Sequence, residues 1–205
     1  MGQRHPGKDS GSMKPFEKFD TQPIERFSAK ELSPAESMEL RELDAKLSPS
    51  ETTRLPRNIG RFTGEVGNSN FIPNPEYIPP EKSRNPDKPY SNPDHLSLTE
   101  IFAKNGIKEL PFRNGFADFS GVSRGEVPID HFTDDRDANF AQADEKMAEQ
   151  RGCTPEEVAA WRKENGCTWH ECPDCRTMQK VPHEIHANIP HEGGISVYKA
   201  NHEKV

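Results

Sequence analysis

The chain has 205 residues, of which 31% are hydrophobic and 19 are proline, and this composition favours a small folded domain with long extensions. The net charge of −7 argues against a generally basic nucleic-acid surface. No apolar run approaches the roughly 18 to 20 residues of a membrane span, and the start of the chain lacks the apolar segment of a signal peptide. We therefore expect a soluble chain without an export signal of its own.

The first 95 residues carry few signs of a packed core. Residues 1–32 have few periodic apolar positions, and we expect a disordered leader there. Ser33 and the proline after it are typical of a helix start, which predicts a short helix over residues 34–47. Residues 49–93 hold nine prolines, which favours an extended segment on the domain surface, with disorder as the alternative. Residues 33–95 are thus expected to form a short helix and an extended proline-rich segment.

The middle of the chain has clearer signals for regular structure. Caps and helical spacing predict three helices, over residues 96–105, 137–150 and 154–165. Short apolar stretches between glycine-containing turns predict two or three short strands over residues 107–132. Residues 96–205 are therefore expected to form the folded domain.

Histidines crowd together near the end of the chain, where four of the eight lie within residues 167–194. Neutral imidazole is a good metal ligand and titrates near neutral pH, so this density indicates a metal site or a phosphate-cleaving site. Strand-forming residues on both sides of a Pro-Asp turn predict a hairpin over about residues 167–181. Pro182 suits the first turn of a following helix. The expected unit is a β-hairpin followed by a helix.

The histidine spacing allows three rings to converge. His186 and His191 are five residues apart, and on a continuous helix their side chains would point roughly 140° apart. The two rings can meet if the helix ends near Pro190. The sequence therefore predicts that His170, His186 and His191 come together, with His183 as a candidate fourth participant.

The cysteines allow a second interpretation. All four are C-terminal, and we expect reduced thiols or metal ligands rather than a disulfide framework. Cys172 and Cys175 form one Cys-x-x-Cys unit without a second, so a structural zinc site would have to recruit histidines or Cys167. A non-catalytic zinc-binding interaction module built on Cys172, Cys175 and histidines is therefore the alternative function.

Several positions in the histidine stretch match a known pattern. They are Trp169-His170-Glu171, Asp174, Thr177-Met178-Gln179, Val181-Pro182, Ile185-His186, and His191 followed by Gly193-Gly194. The pattern resembles the WHH-type nuclease toxins of the HNH/endonuclease VII superfamily, which form the C-terminal toxin domains of bacterial polymorphic toxins. The resemblance implies an α+β fold with a ββα-metal motif at residues 167–194, in which a divalent metal binds the scissile phosphate for phosphodiester hydrolysis.

The resemblance also assigns roles to individual residues. His170, His186 and His191 match the family's metal-site and active-site histidines, whereas Glu171 stands where many relatives have a second histidine. If His170 is a ligand, the general base is Glu171 or a hydroxide on the metal; if His170 is the base, Glu171 can bind or orient the metal complex. His170 and Glu171 are thus the expected catalytic residues.

The metal and the substrate contacts follow from the same residues. Three imidazoles favour zinc or nickel, with magnesium or manganese as alternatives. Asp174 and His183 are candidates for supporting or additional ligands. Arg176 and Lys180 are the expected phosphate contacts.

The leading hypothesis is a metal-dependent endonuclease, with DNA the favoured substrate over RNA, that acts as an antibacterial toxin module. An immunity protein would be its cognate partner. The toxin would be made in the bacterial cytoplasm and delivered by a secretion system to the cytoplasm of a target cell. The net negative charge is the weak point, because phosphate contacts usually need lysine and arginine. An inactive, degenerate toxin is the third hypothesis, and Glu171 in place of histidine is its only hint.

Overall fold

The computed structural model describes residues 54–81 and 92–202. The strands in these ranges are β1 (Gly60–Phe62), β2 (Asn70–Pro73), β3 (Leu110–Arg113), β4 (Phe116–Ala117), β5 (Glu126–Pro128), β6 (Cys167–Glu171) and β7 (Thr177–Pro182). The helices are α1 (Leu98–Lys104), α2 (Arg136–Arg151), α3 (Pro155–Glu164), α4 (His183–Asn188) and α5 (Gly194–His202). The α+β class is confirmed. The predicted leader and the predicted helix over residues 34–47 lie outside the described residues.

A four-stranded antiparallel sheet has the order β1-β2-β3-β4. Its first two strands lie in the proline-rich region, where the sequence predicted an extended segment but no strand. Phe62, Phe71 and Phe112 pack edge to face, with ring centroids 5.3 to 6.4 Å apart. Aromatic contacts between strands thus order a stretch whose prolines obscured the alternating pattern.

The three predicted helices in the middle of the chain are confirmed by their caps. Ser97 caps α1 and Thr154 caps α3, each in a capping box with the glutamate three residues later. Gly152 ends α2 in the left-handed conformation, with φ 65°. These caps fix where each helix begins or ends.

The second sheet is three-stranded and antiparallel, with the order β5-β7-β6. Trp169 on β6 packs with residues of α2 and α3, and its indole nitrogen donates to Asp144 Oδ1 at 2.8 Å. Arg162 on α3 donates to the same carboxylate through Nε at 2.8 Å. Because successive strand residues point to opposite faces, His170 faces away from these two helices.

The hairpin β6–β7 runs directly into α4 and forms the predicted ββα unit. Val181 and Ile185 pack in a core with residues of α1 and the first sheet. Pro182 is the last residue of β7 and the N-cap position of α4, rather than a residue of its first turn. Within the described residues, no helix is long and apolar enough to cross a membrane.

Candidate metal centre

Three histidine rings meet where the hairpin, α4 and the segment after α4 come together. His170 lies on β6, His186 in α4, and His191 beyond the end of α4. His170 Nδ1 and His191 Nε2 each lie 3.2 Å from His186 Nε2. The three nitrogens lie within 4.8 Å of one another, and within residues 54–81 and 92–202 no other set of three His, Cys, Asp or Glu side chains does so.

The end of α4 gives His191 its position. The helix stops at Asn188, and Ile189 has an extended backbone at φ −101° and ψ 117°. His191 Nδ1 lies 2.7 Å from the carbonyl oxygen of Ile189, which can only accept, so Nδ1 carries the hydrogen. The lone pair of neutral His191 is then on Nε2, the nitrogen that faces His186. A hydrogen bond of this kind is what usually orients a metal-bound histidine.

The rings share an apolar neighbour in Phe119, whose ring centroid lies 4.8 Å from that of His170, 5.5 Å from that of His186 and 4.9 Å from that of His191. Burial lowers the pKa of His170 and His186 well below the ordinary value, and it lowers the pKa of His191 to about 4. The neighbouring imidazoles and Arg136 add to this effect. At neutral pH the three rings are therefore uncharged, which is the form that binds metals.

The donor set fits a divalent transition metal. Nitrogens bound to one tetrahedral zinc ion lie roughly 3.4 Å apart, given Zn–N bonds of about 2.1 Å. The two distances of 3.2 Å from His186 Nε2 are close to this spacing. The three histidines could hold such an ion, and imidazole favours zinc or nickel over magnesium.

The chain resembles a known family over this region. Residues 111–193 match the Colicin-DNase family, described as the DNase/tRNase domain of colicin-like bacteriocin. This match supports a nuclease toxin domain. It includes all three histidines and ends at Gly193. No curated protein and no solved structure matches the chain.

Two glycines let the segment that carries His191 pack against the hairpin. A Cβ on Gly193 would lie 2.8 Å from the carbonyl oxygen of Glu171 and 3.4 Å from Cε1 of His170. A Cβ on Gly194 would lie 2.5 Å from the carbonyl oxygen of Cys172. Only glycine fits at these two positions without a shift of the backbone.

Glu171 is buried on the other face of β6 from His170. Its side chain accepts a hydrogen bond from Arg136 Nε and another from Asn139 Nδ2, each at 3.3 Å. Burial raises the pKa of the Glu171 carboxyl, and the charge of Arg136 opposes that rise. The carboxylate therefore does not belong to the histidine group, and its catalytic role stays a prediction.

Lys180 is the clearest departure from the expected site. It pairs with Trp169 across the hairpin and so faces α2 and α3. Its side chain is 2% exposed, and Nζ lies 4.1 Å from the ring centroid of Trp161. Burial lowers the pKa of Lys180 to about 8. The ammonium of Lys180 thus lies inside the protein on the face away from the histidines, and its contact with a phosphate stays a prediction.

The other predicted site residues lie around the centre without joining it. Asp174 organises the hairpin turn by accepting hydrogen bonds from the backbone and side chain of Thr177 at 2.8 and 2.6 Å. Arg176 is exposed in the same turn. His183 is half-buried at the start of α4. None of these three is a member of the histidine group.

The cysteines also lie outside the group. All four are thiols without a disulfide. Cys175 Sγ lies 3.4 Å from the carbonyl oxygen of Gly194, and burial raises its pKa to about 11. Burial also raises the pKa of Cys172 well above its ordinary value. No three-residue ligand group in residues 54–81 and 92–202 includes either cysteine.

Sequence reasoning missed Phe119, which packs on the three histidines, and Arg136 and Asn139, which donate to Glu171. Phe119 follows a two-residue strand, and nothing in its local pattern separates it from an ordinary core aromatic. Asn139 lies in the first turn of α2 and is 0% exposed. A buried amide requires polar partners, so an asparagine on the inner face of this helix was the one sequence signal that could have pointed to a buried polar group such as Glu171.

Proposed function

We propose that the chain is a metal-dependent endonuclease that hydrolyses phosphodiester bonds, with DNA as the favoured substrate, and that it acts as an antibacterial toxin module of the HNH type. The observation that carries the proposal is the convergence of three neutral imidazole nitrogens in one apolar setting. The match to a DNase/tRNase toxin family supports a nucleic-acid substrate. An immunity protein made by the producing cell would be the partner.

In this proposal His170, His186 and His191 hold the metal ion. A bound divalent ion supplies Lewis acidity at the phosphate and lowers the pKa of water, which generates a nucleophile near neutral pH. The protein keeps the three rings neutral by burial, orients His191 through its bond to Ile189, and limits water on one side through Phe119.

His170 cannot serve as the general base while Nδ1 is a ligand, so its role in this proposal is to bind the metal. Glu171 has the raised pKa that strengthens a base. Both of its oxygens, however, already accept hydrogen bonds from the N-terminal turn of α2. The geometry therefore favours a supporting role for Glu171.

The test is cleavage of supercoiled plasmid and of RNA by purified protein. Metal is first removed with a chelator and then restored as zinc, nickel, magnesium or manganese. We expect nicking that depends on metal and falls at least about 100-fold in His170→Ala, His186→Ala and His191→Ala, because a removed ligand weakens or abolishes metal binding. His131→Ala is the matched control, since His131 lies outside the histidine group.

The proposal fails if wild-type protein leaves DNA and RNA intact with all four metals. It also fails if the His131→Ala control loses as much activity as the three site variants. Cleavage of RNA alone would keep the hydrolytic activity and change the substrate. Assaying both DNA and RNA with each metal in turn therefore distinguishes a lack of nuclease activity from a preference for RNA.

A further inference from the structure

Glu171 is held in place from two directions. Its Oε2 accepts from Arg136 Nε and its Oε1 accepts from Asn139 Nδ2. The amide of Asn139 is itself fixed, because it accepts from the backbone nitrogen of Thr133 at 3.0 Å and donates to the carbonyl oxygen of Thr133 at 2.8 Å. The side chain of Glu171 is only 7% exposed. A carboxylate fixed in this way is well placed to hold another side chain in position.

Arg136 is the side chain that Glu171 holds. It is the first residue of α2, and 60% of its side chain is exposed. Only Nε faces Glu171, and neither terminal nitrogen has a hydrogen-bond partner among residues 54–81 and 92–202. The terminal nitrogens form the edge of the guanidinium that binds phosphate oxygens in pairs.

Arg136 and the histidine group meet at the end of β6. Arg136 Nε lies 3.3 Å from Glu171 Oε2, and Glu171 follows His170 as the last residue of the strand. A Cβ on Gly193 would lie 2.8 Å from the carbonyl oxygen of Glu171 and 3.4 Å from Cε1 of His170, so the backbone of Glu171 borders the histidine group. An exposed cation held at this residue, with an open donor edge, is suited to an anion that approaches that group.

We infer that Arg136 binds a phosphate of the nucleic-acid substrate beside the histidine group and that Glu171, anchored by Asn139, positions it. This inference rests on the proposed function and adds a substrate contact to it. In this inference the cation that contacts the substrate is Arg136 rather than Lys180. Glu171 then acts as a positioning residue through Arg136.

The experiment measures binding of metal-free protein to labelled duplex DNA and RNA by fluorescence anisotropy at several salt concentrations. Because cleavage is not involved, the result does not depend on the hydrolytic activity. For Arg136→Ala we expect affinity to fall about 10-fold for all sequences and the salt-dependence slope to fall by about 1, since one phosphate contact is lost. Arg136→Lys keeps the charge and should recover part of the affinity but not the paired contact.

Glu171→Gln keeps a hydrogen-bonding side chain but removes the charge that holds the guanidinium. We expect a smaller loss of affinity than in Arg136→Ala, and we expect Glu171→Gln combined with Arg136→Ala to bind no worse than Arg136→Ala alone, because the two residues act as one unit. Arg61→Ala is the control, since Arg61 is an exposed arginine on β1 of the other sheet.

Kinetics with metal restored separate positioning from base catalysis. Positioning predicts that Glu171→Gln and Arg136→Ala both raise KM, whereas loss of a base would lower kcat at unchanged KM. Unchanged binding and an unchanged salt slope in Arg136→Ala would overturn the inference. A fall in kcat of about 100-fold in Glu171→Gln, with binding intact, would overturn the role given to Glu171. Absence of cleavage in wild type with normal binding would instead count against the hydrolytic function alone.

Discussion

Three imidazoles can share one small volume only if they remain uncharged. His170, His186 and His191 each lose solvent on packing around Phe119, and the pKa of each falls for that reason. His170 is buried and His186 and His191 are half-buried. A metal ion is the ligand that would satisfy all three nitrogens together.

The lowered pKa values predict how the stability of metal-free protein depends on pH. Unfolded histidine has a pKa near 6.5, so below that value the unfolded chain binds more protons than the folded chain. The stabilising effect is complete above about pH 6.5 and is lost as pH falls toward 4. For His191, with a folded pKa of about 4, the loss at pH 5 is on the order of 2 kcal/mol.

Urea unfolding of metal-free wild type and His191→Asn at pH 7.5 and pH 5 measures this effect. Asparagine can still donate to the carbonyl oxygen of Ile189 but does not titrate. Wild type should lose more stability than the variant between the two pH values. An equal loss in both proteins would contradict the lowered pKa of His191.

At this scale the sequence predicted which histidines would meet, because spacing and a proline near the helix end limit where the rings can lie. It did not predict on which face of the second sheet the side chains of Glu171 and Lys180 lie. Because β6 is a strand, neighbouring side chains alternate, and Glu171 lies on the face opposite His170. The position of Lys180 depends on the hairpin register, which pairs it with Trp169. Turn type and loop length set that register, and neither was specified by the sequence pattern.

Among the elements, the hairpin, α4 and the segment after α4 build the histidine group. Gly193 lies where that segment meets the hairpin, with no room for a Cβ beside the carbonyl oxygen of Glu171. His191 lies two residues before Gly193, in the segment between α4 and α5. The close approach of this segment to β6 therefore determines whether the third ring reaches the other two.

Gly193→Ala should force this segment away from β6. We expect metal affinity to fall about 10-fold or more, because supporting contacts around metal ligands typically contribute 10- to 100-fold. Gly121→Ala is the control, since a Cβ there meets nothing within 4 Å. Calorimetric titration with zinc measures both variants. Equal affinity in Gly193→Ala and wild type would show that the close approach does not support the centre.

The helices that the sequence predicted are those whose ends are marked by capping residues within the same stretch of sequence. Ser97, Thr154 and Gly152 mark helix ends through their own side chains or backbone, so α1, α2 and α3 could be located without tertiary information. Strands β1 and β2 depend on pairing with a strand about forty residues away. Helix α5 begins at Gly194, a residue type that more often ends helices.

For the whole molecule, the net charge of −7 makes long-range attraction of nucleic acid weak. Substrate binding must then depend on a few cations close to the centre rather than on a broad basic surface. Arg136 is the cation proposed for this contact, and the charge of Arg54 also contributes to lowering the pKa of His191. Composition alone predicted this weakness but not where the local cations lie, because Arg54 and Arg136 are 82 positions apart in sequence.

The two hydrophobic cores explain why the centre lies where it does. One core joins α1, the first sheet and the end of the hairpin, and the other joins α2 and α3 to the opposite face of the second sheet. His170 is on the first of these faces and Glu171 on the second. The histidine group and the carboxylate of Glu171 are thus held by different packing layers, which join at β6.

Metal binding at equilibrium tests the central claim most directly. Metal-free wild type, His186→Ala, His131→Ala and the double variant Cys172→Ser with Cys175→Ser are dialysed against zinc or nickel, and bound metal is measured by elemental analysis. The account predicts one tightly bound ion per chain in wild type, in His131→Ala and in the cysteine variant, and none in His186→Ala. An ion that persists in His186→Ala and disappears from the cysteine variant would contradict it and favour a structural zinc module.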